Sequence, residues 1–234
     1  MADTWILVRH PDKDGDAEGI HLGDKARITE KGEVEASLIL HRIGSLAGMP
    51  DLVVSSTIPR ALQLAEYIAY NLHLPIVPPN PVFNEIEKPE FLLGTRKDDP
   101  VHKEIMHAIR HGFDEDYLPP GVTVKTRSQL EEEVREAFAF IESLKAGCVV
   151  QIGHAKKIGM CIHWAWNREQ TLKGYYETTD CTVDFDTTGL SILKRKPNRR
   201  TGEMGWHVAT LNDVSHQEGF LSKNGELKEK LDLR

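Results

Sequence analysis

Cysteine is scarce in this chain of 234 residues. There are three, Cys148, Cys161 and Cys181, an odd number with no C-x-x-C pair among them. That pattern speaks against a disulfide framework and reads as buried reduced thiols in a reducing compartment. Long apolar runs are also absent. None approaches the ~20 residues of a membrane-crossing helix. The opening Met-Ala-Asp-Thr-Trp has neither the basic stretch nor the apolar core of a secretory signal. The expectation is a cytoplasmic protein without a membrane partner. Excess positive charge is missing too. A net charge of −7 argues against nucleic acid as a partner. Any phosphate pocket would then be a local basic patch in an acidic field. What is present is ordinary: 40% hydrophobic and 28% charged residues, at a length that suits one domain over 1–234.

Strand and helix signals alternate along the chain. Thr4–Val8 reads as a buried strand and Thr29–Leu46 as a helix, with Thr29 as N-cap and Val34, Leu38, Ile39 and Ile43 at helical spacing. Leu52-Val53-Val54 is a second strand. Ser56 or Thr57 can cap the next helix, which carries Pro59 in its first turn and runs to about Leu72. Ile76-Val77 is a third short strand. Seven prolines then interrupt residues 78–126, and only 101–112 looks helical. An irregular insert with helical character, about 88–126, is expected there as a lid. Regularity returns with a helix over 127–144, a strand at 148–152 and a helix over 154–166. A hairpin over about 188–195 and 206–211 follows, then a polar tail over about 216–234. This order predicts an α/β fold, a mostly parallel central sheet with helices on both faces.

In such sheets, sites form at the carboxyl ends of strands. Arg9-His10 ends the first strand, and Arg60 falls in a first helical turn where free N–H groups already favour an anion. Phe83-Asn84-Glu85-Ile86-Glu87 follows the third strand, and Gly153-His154 joins a later strand to its helix. Two histidines, two arginines and a carboxylate at successive strand ends suit phosphoryl chemistry. A fixed cation holds the group while an imidazole nitrogen attacks it.

With these residues in place, the chain resembles the histidine phosphatase superfamily, which also contains phosphoglycerate mutases. Arg9-His10 resembles the family's R-H-G, and Ile28-Thr29-Glu30-Lys31-Gly32 its L-T-x-x-G. Ser55-Ser56-Thr57-Ile58-Pro59-Arg60-Ala61-Leu62-Gln63-Leu64-Ala65-Glu66 is close to its S-S-x-x-x-R-A-x-x-T-A-E. Gly153-His154 stands where the family has S-H-G, and Thr187–Leu193 and Leu211-Asn212-Asp213 resemble its closing strands. The likeness covers about residues 4–215.

The resemblance implies a phosphoglycerate mutase-like fold and a phosphatase that hydrolyses phosphate monoesters through a phosphohistidine on His10. Arg9, Arg60 and His154 would hold the phosphoryl oxygens, and Glu85 would be the proton donor, with Glu87 and Glu90 as alternatives. His154 would share in the catalysis. No metal or cofactor is implied, because the cations are built in. The expected substrate is a small phosphorylated molecule, with a phosphoprotein as second choice. Pro11 and Ala155 depart from the family, each standing where it has glycine. The mutases' asparagine after Arg-His and their E-R-H-Y-G stretch are missing, which favours phosphatase over mutase. A catalytically silent phosphate-binding protein is the rival from another class.

Other features carry less. His107 and His111 have metal-ligand spacing without a partner. His102-Lys103-Glu104 resembles half of a deaminase motif whose other half is absent. Lys156 and Lys157 read as a solvated helix start, and Lys194–Arg200 as a hairpin turn. Arg96, Lys97, His107 and Arg110 would face the pocket from the insert.

Overall fold

The apolar run Trp5-Ile6-Leu7-Val8 is the middle of strand β1, Thr4–Arg9, and all four side chains are buried. Successive side chains point to opposite faces, so a strand without polar positions needs cover on both sides. Trp5 and Leu7 enter one core, formed with helices α4 (Arg127–Ser143) and α5 (Ala155–Trp166). Ile6 and Val8 enter the other, formed with α1 (Glu30–Gly44) and α2 (Pro59–Asn71). The computed structural model describes residues 2–86, 90–111 (backbone alone from 107), 125–167, 172, 185–197 and 202–218.

β1 is the centre of a five-stranded sheet of order β2-β3-β1-β4-β5. β2 (Leu52–Ser55), β3 (Cys148–Gly153) and β1 run parallel, so their carboxyl ends lie side by side. β4 (Leu190–Pro197) and β5 (Met204–Asp213) are the expected hairpin and add antiparallel pairings on the other flank of β1. The sheet is therefore mixed, parallel where the site lies and antiparallel beyond it. Ile76 makes only an isolated parallel bridge to Val53 and builds no third strand of its own.

Helix starts follow local chemistry. The Thr29 hydroxyl accepts the Gly32 N–H and caps α1 as expected. Gly32 itself has a packing reason, since a Cβ there would collide with the Asp12 carbonyl. α2 differs from expectation. Its N-cap is Ile58, not Ser56 or Thr57, and no side chain caps it. The Ser56 hydroxyl accepts the Ile58 N–H but is turned inward. α4 starts with a full capping box between Thr126 and Gln129.

The insert is less peripheral than its prolines suggest. Its described part holds a short 3-10 turn, Glu90–Leu92, and helix α3, Pro100–His111, and Leu92 and Ile105 join the core under α4 and α5. Backbone bonds dock residues 94–97 onto the loop after β1, including Lys97 N–H to the Gly19 carbonyl at 2.7 Å. The start of the expected polar tail is also held. Gln217 donates to the Thr188 hydroxyl at 2.9 Å, and His216 Nε2 lies 3.0 Å from it. Cys148 and Cys161 are free thiols, pushed up to about 11 and about 12 by burial. Cys181 and the side chains of His107, Arg110 and His111 lie outside the described residues.

Trp5 is fully buried, with its ring edge-to-face on Phe138 at 5.0 Å and on Trp206 at 5.9 Å. Trp5→Ala is expected to cost about 3–5 kcal/mol of stability. Urea denaturation would check this through a lower midpoint at unchanged slope; a loss below about 1 kcal/mol would show that the ring is not central to the core.

Candidate active site

Three parallel strands end together, and each releases one polar segment at the same edge. Arg9 is paired in register with Gly153, and Ser55 with Ile152, so His10, His154 and Ser56 are the next residues on adjacent strands. The His10 N–H continues the ladder to the Gly153 carbonyl at 2.9 Å. The His10 and His154 rings lie 5.1 Å apart, and both are buried.

The hydrogen bonds assign a tautomer to each ring. His10 Nδ1 lies 2.7 Å from the Pro11 carbonyl oxygen, which can only accept. Nδ1 therefore carries the proton, and Nε2 keeps its lone pair. Pro11 has no N–H to donate but contributes the carbonyl that orients this ring. For His154, Arg60 Nη2 donates to Nδ1 at 3.4 Å, and Nε2 then donates to the Ser56 hydroxyl at 2.8 Å.

Both arginines are anchored by main-chain carbonyls. Arg9 donates to the Phe185 carbonyl, and Arg60 Nη1 to the Gly23 carbonyl at 3.0 Å. The Nε–H groups of Arg9 and Arg60 are both buried and have no hydrogen-bond partner among the described residues. Burial lowers the proton affinity of both imidazoles well below the ordinary histidine value, and nearby positive charge lowers it further. Arg60 and Arg9 act on His10; His10, Arg60 and Arg9 act on His154. Burial also weakens the hold of Arg60 on its proton, and Glu85 and Asp24 partly offset this.

Glu85 is placed by its neighbour. Asn84 accepts the Thr57 N–H at 2.9 Å and donates to the Thr57 hydroxyl at 2.8 Å, tying this segment to the loop before α2. Glu85 and Arg60 line one cavity of about 510 Å³. Glu90 lines it as well, whereas Glu87 lies outside the described residues.

Several supporting residues had no signal in the sequence. Glu35 lies on the buried face of α1 and is fully enclosed. It accepts the Asp12 N–H at 2.7 Å and the Thr187 hydroxyl at 2.8 Å, joining the loop after His10 to the loop before β4. Lys157 is 2% exposed and donates to Glu133 at 2.6 Å, so the start of α5 is not a solvated face. Glu133 also accepts from Lys125 at 2.6 Å. Ser56 reads in the sequence as a motif position and a helix cap, not as a partner of His154. Of the insert cations, Arg96 is exposed and pairs with Asp98, and Lys97 binds Asp16 at 2.8 Å; neither lines the cavity.

The lowered imidazoles make stability depend on pH. In the folded chain His10 and His154 bind a proton less readily than in the unfolded chain. Their contribution is complete above the unfolded value of ~6.5 and is lost as pH falls below it. His216, pushed down to about 4 by burial, acts in the same direction, while the carboxyl of Glu35, raised by burial, acts oppositely. Urea midpoints are expected to fall between pH 7 and 5, less steeply in His154→Asn. Equal slopes for the two proteins would contradict the assignment of His154 as a neutral ring.

Comparison with known proteins bears on this geometry. A search of curated proteins finds no match. Among solved structures, Bacillus stearothermophilus YhfR superposes with a TM-score of 0.71 at 20% identity, over 93% of this chain and 100% of that one. The alpha-ribazole phosphatase from Shigella flexneri gives 0.66 at 16% identity, over 90% and 96% of the two chains. The phosphoserine phosphatase from Entamoeba histolytica gives 0.61 at 18%, over 91% and 98%. These likenesses establish a shared fold. The family model of the histidine phosphatase superfamily, branch 1, matches residues 5–205, and the chain belongs to that superfamily.

Proposed function

We propose that the chain is a phosphatase that hydrolyses phosphate monoesters through a phosphohistidine on His10. One observation carries the reading. A neutral His10, with Nδ1–H held by Pro11 and Nε2 unprotonated, is buried beside two guanidinium groups, Arg9 and Arg60, each anchored on a main-chain carbonyl. Neutral anchors leave the charge of both guanidinium groups to an anionic ligand, and a phosphoryl group fits it. The cations can hold a phosphoryl group, and the Nε2 lone pair can attack it.

In the first step, Nε2 forms a bond to phosphorus and the ester P–O bond breaks. The oxyanions are held by Arg9 and Arg60 as charge builds on the phosphoryl group. The departing alcohol oxygen takes a proton from Glu85. His154 answers the arriving dianion. The phosphate competes with its Nδ1 for Arg60 and favours protonation there, so Nδ1 gains an N–H to donate. In the second step, Glu85 removes a proton from water as its oxygen attacks phosphorus. The N–P bond breaks, releasing phosphate and neutral His10.

His10→Ala is expected to lower kcat on p-nitrophenyl phosphate at least about a thousandfold. Acid-sensitive, base-stable radiolabel transferred from substrate to the protein should vanish with it. Glu85→Gln should cost about a hundredfold on alkyl phosphates and much less on p-nitrophenyl phosphate, whose leaving group needs little protonation. Activity surviving in His10→Ala would remove the nucleophile from this scheme.

A further inference from the structure

The cavity that continues from Arg60 and Glu85 has a charge pattern of its own. Its carboxylates are Asp24, Glu85, Glu90, Glu133 and Glu136. Its described cations are Lys25, Arg60 and Lys125. These cations are not all available to a ligand. Lys125 is committed to Glu133, which also holds the buried Lys157. Arg60 donates to the Gly23 carbonyl, contacts His154 and lies 4.0 Å from the exposed Asp24, and there the phosphoryl group would take its charge. Lys25 is exposed and remains alone against Asp24, Glu90 and Glu136. A bound phosphate would thus satisfy the inner cations and leave an outer compartment of negative charge.

From this we infer that the cavity selects phosphate monoesters whose alcohol is uncharged or cationic, and disfavours alcohols bearing a carboxylate or a second phosphate. The inference rests on the phosphatase reading and adds its substrate class. A carboxylate on the leaving group would meet like charges with no free cation among the described residues except Lys25. A polyol meets hydrogen-bond partners there, among them Asn80 and Asn84, and a quaternary or primary ammonium meets the acids directly. The volume of about 510 Å³ accommodates such a group without enclosing a macromolecular surface. Glu136 on α4 is exposed and lies outside the phosphoryl-transfer machinery, which makes it the residue to reverse.

The test measures kcat/KM at low ionic strength for phosphocholine, glycerol 3-phosphate and 3-phosphoglycerate, with p-nitrophenyl phosphate as the activity control. The first two are expected to exceed 3-phosphoglycerate by at least about tenfold, as one like-charge contact in a partly screened site implies. Added salt should narrow the gap. Glu136→Lys should shift the ratio of phosphocholine to 3-phosphoglycerate about threefold or more toward the anion. Turnover of 3-phosphoglycerate as fast as glycerol 3-phosphate, with p-nitrophenyl phosphate also hydrolysed, overturns the selectivity and leaves the phosphatase standing. A ratio unmoved by Glu136→Lys overturns the acidic wall as its cause. No phosphate release from any of the four overturns the phosphatase reading, and this inference with it.

Discussion

Four basic side chains share one buried edge of the sheet, and among the described residues none of them has a buried carboxylate as hydrogen-bond partner. Arg9 and Arg60 are permanently charged. Packing two imidazoles against them is tolerable only while the imidazoles stay neutral, and burial enforces that state. Every hydrogen bond in the cluster follows from this constraint. The arginines lean on carbonyls of Phe185 and Gly23, His10 on that of Pro11, and His154 on a hydroxyl. Neutral oxygens anchor the cations without cancelling them. Each buried donor left unpaired costs about 1–3 kcal/mol, so the free site is held at a disadvantage that the two apolar cores must offset.

The frame that bears this cost is built around the parallel half of the sheet. Ladder hydrogen bonds set the strand ends side by side, and the loops that leave them are tied back by buried polar contacts. Glu35 is the clearest case. Its carboxylate joins the loop after His10 to the loop before β4, the same stretch whose Phe185 carbonyl anchors Arg9. A single enclosed carboxylate thereby coordinates the surroundings of the nucleophile candidate and of its neighbouring cation without touching either.

Much of this was legible in the sequence because it has local causes. Trp5–Val8 reads as a two-face-buried strand, and the Thr29 cap and the periodicity of α1 and α4 fix helix limits within a residue or two. The residues at the strand ends, Arg9, His10, Arg60 and His154, could be read as a set because an α/β order brings such ends together. Glu35, Lys157 and the inward turn of Ser56 could not. Each depends on a partner far along the chain, Thr187, Glu133 and His154 respectively, and nothing local distinguishes Glu35 from the exposed acids of its own helix. Ser56 reads as a cap by residue type, but the N–H its hydroxyl accepts is that of Ile58, one residue before the helix begins at Pro59. Pro11 reads only as a residue in place of glycine; its acceptor role arises from the fold, which sets its carbonyl against Nδ1 of His10.

The insert enters and leaves through two pinned joints. Asn84 and Thr57 clasp each other at its start, and at its end Lys125 grips Glu133 beside the capping box of Thr126 and Gln129. The partners that receive them, Thr57 before α2 and Glu133 on α4, belong to the frame. Loop closure between fixed ends depends only weakly on loop length, so the length of chain between the joints is lightly constrained. Its early part is not: Leu92 and Ile105 lie in the core and residues 94–97 bond to the loop after β1, so variation that keeps the strand ends in register is confined to what those contacts do not hold.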